Sequence, residues 1–124
     1  MDASSEARIG SHRDLVVWQK AMDLTVEVYR LARRFPKDEM YRRISQLTRA
    51  AASVPANIEE GHARSTARDY AHFLSIAKGS VMETETYIVL AVRPGYLTQE
   101  NTRFALGLPI VICKMLRSLR SKLI

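Results

Sequence analysis

The chain is poor in several residue types, and each scarcity excludes a class of protein. A single cysteine, Cys113, among 124 residues rules out an internal disulfide, and its apolar neighbours favour a buried thiol over a reactive one. Five glycines and four prolines are too few for an all-β fold with many tight turns. No apolar run approaches the ~20 residues that a membrane span needs, and the polar start shows no signal peptide. We therefore expect one cytoplasmic domain over residues 12–124, after a flexible tail over residues 1–11.

Apolar residues recur at helical spacing in four segments, and no strand pattern or internal repeat is present. We predict helices from about 14 to 34, from near 37 to about 61, from about 66 to 93, and from 98 to the C-terminus. Four amphipathic helices with short connectors predict an all-α fold, an antiparallel up-down-up-down four-helix bundle. Pro94 and Gly95 fit a type II turn after the third helix. Pro109 predicts a kink or a late start near residue 105 in the fourth.

The first segment carries two neighbouring apolar stripes, which is more than one bundle core needs. One stripe begins at Leu15 and includes Trp18 and Tyr29, and the other begins at Val17 and Ala21. Two interpretations stay open. Either the helix sits deep in its own bundle, or the second stripe packs against another subunit.

The stretch "SVPANIEEGH" contains a proline inside the second predicted helix. Pro55 lacks a backbone donor and crowds the carbonyl of Ala51, so we predict a kink there. Gly61 suits a left-handed C-cap, and Gly79 and Ser80 in the third helix are small and permit a close crossing. Backbone groups freed at the kink need partners. We expect them from a structural polar cluster between the second and third helices: Asn57, Glu60, Ser80 and Glu83.

Chemistry offers a different interpretation of the same stretch. Glu59 and His62 have the Glu-x-x-His spacing of di-iron helix bundles. Such a site needs a second Glu-x-x-His and further glutamates, which the sequence does not supply. No nucleophile with an adjacent base and no phosphate-binding loop is visible either. We therefore expect no catalytic residues, no metal site, no cofactor and no enzymatic activity.

Several blocks of the chain resemble one known family. "LVVWQKAMDLTVEVYRLARRFPKDE", "QLTRAAASVPANIEEG", "YAHFLSIAKGSVMETETYIVLA" and "GYL" are similar to the 23S rRNA intervening-sequence proteins over roughly residues 13 to 98. The resemblance implies cytosolic bacterial proteins that fold as antiparallel four-helix bundles and assemble as ring-shaped homopentamers. Relatives that serve diversity-generating retroelements bind nucleic acid and a reverse transcriptase. Glu59, Pro94, and Gly107 with Pro109 depart from the family's usual pattern.

The chain is basic, with a net charge of +6 and a pI near 9.8, and fourteen of its nineteen basic residues are arginine. Arginine forms forked hydrogen bonds to phosphate. In an up-down bundle, many of these residues fall at one pole, where only Asp38, Glu39 and Glu100 oppose them. Tyr29 and Tyr41 are nearby, but their apolar stripes predict core positions. The candidate nucleic-acid-binding residues at this pole are Arg30, Arg33, Arg34, Lys37, Arg42, Arg43, Arg93 and Arg103.

Two functions remain open at this point. The first is a non-enzymatic homo-oligomer, a pentamer by the resemblance, that binds structured RNA or DNA through its arginine-rich pole. The second is a protein–protein interaction scaffold, whose helix surface contacts another protein. A solvated arginine surface with no ligand is the simpler explanation of the same charges.

Overall fold

A computed structural model of the chain describes residues 12, 15–36 and 41–124. This part contains four helices and no strand: α1 Val16–Ala32, α2 Tyr41–His62, α3 Ala67–Val92 and α4 Arg103–Ser121. The predicted all-α fold is confirmed. The predicted tail over residues 1–11 and the predicted helix start near Lys37 lie outside the described residues. No helix in the described ranges is both long enough and apolar enough to cross a membrane.

The helices form a closed bundle in which each one packs against two others. Contacts join α1 to α2, α2 to α3, α3 to α4, and α4 back to α1. The enclosed core is made mainly of leucine, isoleucine, valine and alanine at helical spacing. Its largest fully buried members include Leu24, Leu47, Ile58, Leu74, Ile88 and Ile112.

Contacts between α2 and α3 proceed in opposite directions along the chain. Gly61 near the end of α2 meets Phe73 near the start of α3. Ser53 bonds to Ser80 through their hydroxyls at the middle. Gln46 and Tyr87 line the same cleft at the far end. These two helices therefore run antiparallel, while the direction of the other pairs stays a prediction.

Of the two apolar stripes on α1, one supplies the core. Val17, Ala21, Leu24, Val28 and Leu31 are all buried. The stripe that begins at Leu15 is only partly covered: Met22 and Tyr29 are 37% and 51% exposed, as is their neighbour Val26 at 51%. The single chain therefore leaves an apolar strip of α1 in contact with solvent.

Pro55 lies within α2, which continues on both sides of it. Because proline has no N–H, the carbonyl of Ala51, four residues earlier, loses its helical donor. The Thr25 hydroxyl of α1 donates to this oxygen at 3.0 Å and also contacts the Ala21 carbonyl at 2.9 Å. The partner of the Ala51 carbonyl thus comes from α1 and not from the predicted cluster of Asn57, Glu60, Ser80 and Glu83. The kink itself stays a prediction.

Gly61 does not have its predicted role, and Gly95 provides the left-handed helix cap that was expected at Gly61. Gly61 lies inside α2, and Gly95 is the one glycine of the described residues with positive φ, at 91°. The Gly95 N–H donates to Val92 O, and the Tyr96 N–H donates to Ala91 O, both at 3.0 Å. This pair of bonds is the Schellman motif, with Gly95 as the left-handed residue that closes α3. The predicted C-cap at Gly61 was therefore wrong, and the Pro94–Gly95 turn is a helix cap.

Gly61 instead permits the closest approach of α2 to α3. A Cβ atom at this position would lie 2.7 Å from Phe73 Cβ and 3.2 Å from the Tyr70 carbonyl oxygen. Gly79, predicted to serve this purpose, has nothing within 4 Å of such an atom and faces solvent. The expected close crossing was wrong for Gly79, whereas Ser80, predicted with it, does contact Ser53 of α2.

The helix starts also differ in part from expectation. Thr66 caps α3 as predicted, since its hydroxyl accepts from the Asp69 N–H at 3.1 Å. Thr98 caps a preceding turn, accepting from the Asn101 N–H at 3.0 Å, and α4 follows from Arg103. Pro109 lies within α4.

Replacing Gly61 with alanine should destabilise the bundle by about 1–3 kcal/mol, because the added methyl group forces α2 and α3 apart. Gly79→Ala is the matched control. It should stabilise α3 by roughly 0.5–1 kcal/mol, since it meets nothing and restores helix propensity. Urea unfolding of both variants measures the two free energies. Equal effects at the two glycines would contradict the close crossing at Gly61.

Thr25→Val should cost about 1–3 kcal/mol, because it leaves the buried Ala51 carbonyl without a donor. Thr48→Val is the control, since the Thr48 hydroxyl contacts only carbonyls of its own helix. In a Pro55→Ala background, an N–H is again available to Ala51, so the Thr25→Val cost should shrink. Additive losses in this double-mutant cycle would show that Thr25 does not compensate for Pro55.

Candidate functional site

The arginines predicted for the pole lie at helix ends and are exposed. Arg30, Arg33 and Arg34 come from the end of α1, and Arg42 and Arg43 from the first turn of α2. Arg93 directly follows α3, and Arg103 begins α4. Lys37, Asp38 and Glu39 lie outside the described residues.

Ion pairing distinguishes Arg30 from the others. Its Nη1 lies 2.5 Å from Oε1 of the buried Glu27, one turn earlier on α1. Within the described ranges, the remaining candidates pair with no carboxylate. Six candidate arginines are thus without a carboxylate partner among the residues that the structure describes: Arg33, Arg34, Arg42, Arg43, Arg93 and Arg103.

Two of these guanidinium groups line a cleft of about 310 Å³. Arg43 approaches it from α2, and Arg93 from the end of α3. Its other lining residues in the described part of the chain are apolar, aromatic or amide-bearing, and none of these carries a carboxylate: Phe35, Gln46, Leu47, Tyr87, Leu90, Ala91, Pro94 and Tyr96. The cleft therefore joins a positive rim to an apolar interior.

The buried lining residues form the floor of this cleft. Phe35, Leu47 and Ala91 are at most 5% exposed, whereas Tyr87 and Tyr96 are half-buried. The rings of Phe35 and Tyr96 stack, with centroids 6.2 Å apart and planes inclined by 29°. The Schellman cap at Gly95 turns the chain so that Tyr96 reaches Phe35.

Sequence reasoning missed the aromatic part of the site. It selected Tyr29 and Tyr41 as the nearby aromatics and placed both in the core, but they are 51% and 80% exposed. Tyr87 and Gln46 carry a signal that could have revealed them. Tyr87 lies seven residues after Ser80, and Gln46 lies seven before Ser53. A step of seven residues is two helical turns, so each lies on the same helix face as a serine of the α2–α3 contact.

The predicted polar cluster is only partly assembled. Asn57 Nδ2 donates to the Ser53 carbonyl at 2.7 Å, and Ser53 bonds to Ser80. The two glutamates instead contact their own helices at exposed positions. Glu60 pairs with Arg64 at 2.6 Å, and Glu83 lies 3.4 Å from the Tyr87 hydroxyl. Ser80 was predicted to belong to this cluster, but Ser53 was not. The hydrogen bond between their hydroxyls is the polar side-chain contact between α2 and α3 in the described residues.

The opposite end of the bundle holds a second group of polar and aromatic side chains. His12 Nε2 lies 3.7 Å from Glu59 Oε1, and its ring lies 5.1 Å from Trp18 and 6.3 Å from His62. Burial raises the pKa of the Tyr70 hydroxyl, which has no hydrogen-bond partner among the described residues. Across the described ranges, no three histidine, cysteine or acidic side chains converge as metal ligands would.

The buried Cys113 thiol lies 3.9 Å from Met82 Sδ. Burial raises its pKa. The nearby Glu85 carboxylate adds to this effect, while Lys78 and Arg117 oppose it. The thiolate fraction at neutral pH is therefore lower than that of an ordinary cysteine.

Alkylation of Cys113 by iodoacetamide at pH 8 should consequently be at least about tenfold slower than that of a free thiol, because it needs both deprotonation and local opening. Denaturing urea should restore the ordinary rate, and mass spectrometry follows both reactions. For the folded chain, the alkylation rate should increase above its value at pH 8 as the pH approaches the elevated pKa of Cys113. Rapid labelling of the folded chain at pH 7 would contradict a buried, protonated thiol.

Comparisons with known proteins are consistent with this architecture. The family described as 23S rRNA-intervening sequence protein matches residues 13–118. A solved structure from Bacteroides thetaiotaomicron VPI-5482, a protein of unknown function from the S23 ribosomal protein family, is 26% identical in sequence. The similarity covers 85% of this chain and 98% of that one, with a TM-score of 0.78. No curated protein matches the chain.

Proposed function

The chain belongs to the family of 23S rRNA-intervening sequence proteins, and on that premise we propose that it is a non-enzymatic bundle that binds RNA or DNA through its arginine-rich pole. The observation that carries the proposal is the set of six exposed arginines that pair with no carboxylate in the described ranges. They come from the ends of all four helices, and an up-down bundle would bring these ends to one pole. Arg30 is left out of this set because Glu27 already neutralises it.

Physical chemistry supports phosphate as the partner of these groups. A guanidinium offers a planar fork of donors that matches two phosphate oxygens. Each phosphate neutralised by arginine releases condensed counterions, so binding gains entropy and weakens as salt is added. Such contacts position the nucleic acid without reading its sequence. A net charge of +6 also attracts a polyanion over long range at low salt.

We also propose that copies of the chain associate, as the resemblance to ring-forming pentamers implies. Met22, Val26 and Tyr29 follow one another at 4,3 spacing on the outer side of α1 and are exposed in the single chain. Burial of such a strip against a neighbouring copy removes apolar surface from water. A pentamer would repeat the arginine pole around a ring, with a total formal charge of roughly +30.

A protein scaffold is the second candidate function, and apolar exposure on α4 favours it. Phe104 and Ile110 are 59% and 70% exposed, and exposed large apolar side chains are frequent at protein interfaces. A partner protein that stays bound after nuclease treatment, and that Ile110→Asp releases, would support the scaffold. Loss of all partners on nuclease treatment would support nucleic-acid binding.

The charge proposal is tested by two double variants with the same net charge. Arg93→Gln with Arg103→Gln alters the pole, whereas Arg68→Gln with Arg120→Gln alters the other ends of α3 and α4. Binding to an RNA hairpin and to a DNA duplex should weaken with salt for the wild type. The logarithmic salt slope should fall by about 1–2 in the pole variant and change little in the control.

Titration by fluorescence anisotropy between low and moderate salt gives these slopes. Equal losses in the two double variants would mean that net charge alone acts, without a defined pole. Affinity that does not change with salt would contradict phosphate-driven binding by any surface of the chain.

A further inference from the structure

We propose that the cleft between Arg43 and Arg93 holds a single unstacked nucleotide of a single-stranded nucleic acid. This inference rests on the proposed function and adds a preference for single-stranded over double-stranded nucleic acid. The arginine pole by itself would hold any phosphate backbone, whereas the cleft would hold one base as well. The bound strand would therefore be unpaired at this point.

The chemistry of the cleft lining matches the two halves of a nucleotide. Arg43 and Arg93 supply two guanidinium groups for the phosphate, and none of the described residues that line the cleft with them carries a carboxylate. Phe35, Tyr87 and Tyr96 supply aromatic faces beside them. Every base has a π-face, so stacking on such residues tolerates any sequence. A purely electrostatic surface would not need this apolar interior.

The size of the cleft is compatible with one nucleotide. A volume of about 310 Å³ lies at the lower end of the roughly 300–1,000 Å³ typical of small-molecule sites. A base within a duplex is stacked on both sides and paired at its edge, so it cannot enter without unstacking and unpairing. An unpaired nucleotide in a loop or a single strand avoids most of this cost.

The aromatic platform is rigid because it is built on the core. Tyr96 stacks on Phe35, which is 5% exposed, and the adjoining Gly95 cap fixes the direction of the chain. Gln46 lies on the cleft lining, and its amide makes no hydrogen bond within the described ranges. An amide offers both a donor and an acceptor, which suits the polar edge of a base.

The surface beyond the cleft is less favourable for an anion. Arg93 also lines a neighbouring depression with Glu85, and Glu83 lines the next one with Tyr87. These carboxylates would repel a phosphate placed further along α3. The phosphate is thus best placed near Arg43 and Arg93, with the base directed toward the aromatic floor.

The test compares a short fluorescent single-stranded oligonucleotide with a blunt duplex of the same length, in the same salt. The wild type should bind the single strand at least fivefold more tightly. Tyr96→Ala should weaken single-strand binding about tenfold and duplex binding less than twofold, because it removes a stacking face and keeps both cleft arginines. Tyr96→Phe keeps the ring and should retain wild-type affinity.

A second pair of variants avoids the core and guards against unfolding. Arg93→Gln removes a cleft guanidinium, and Arg34→Gln removes an exposed one at the same pole that does not line the cleft. Arg93→Gln should lower the ratio of single-strand to duplex affinity, whereas Arg34→Gln should weaken both ligands equally. Adenosine monophosphate should displace the single strand at concentrations at which inorganic phosphate does not.

The outcomes separate this inference from the proposed function. Equal affinity for single strand and duplex, with no selective effect of Arg93→Gln, would overturn the nucleotide cleft and leave the arginine pole intact. Displacement by inorganic phosphate as effective as that by adenosine monophosphate would also overturn it, since the cleft would then hold an anion only. Salt-independent binding of both ligands would overturn the proposed function itself.

Discussion

The close crossing of α2 and α3 at Gly61 is the constraint on which the rest of the structure depends. A side chain there would collide with Phe73, so the absence of a Cβ atom sets the distance between the helices at one end. Seven or eight residues further along each helix, Ser53 meets Ser80. Seven further still, Gln46 and Tyr87 line the same cleft. A shift of α2 along α3 would therefore separate the groups that form the candidate site.

Pro55 shows how this bundle accommodates a residue that normally interrupts a helix. The carbonyl left without a helical donor lies in the core, where an unpaired acceptor is costly. Thr25 of α1 supplies the donor, so the defect in α2 becomes a polar contact between two helices. Such a contact is directional, unlike the surrounding apolar packing, and it favours one register of α1 against α2.

Two physical requirements meet at the arginine pole. Guanidinium groups need to stay hydrated or pair with anions, and the described pole arginines are exposed. The aromatic rings beside them are instead stabilised by burial. The cleft between Arg43 and Arg93 combines both kinds of surface at one place. The solved relative from the S23 ribosomal protein family has the same fold over 98% of its length. The bundle is therefore shared between the two chains.

The sequence by itself determined the four helices, the two apolar stripes of α1, the Thr66 cap and the exposed position of the described pole arginines, because these depend on spacing within one helix. Only the tertiary structure decided that Gly61 marks a close crossing and that Gly95 caps α3. It also decided that Thr25 compensates for Pro55 and that Tyr96 reaches Phe35. The physical reason is distance along the chain: Thr25 and Ala51 are 26 residues apart, and helical periodicity carries no information about which faces of different helices meet.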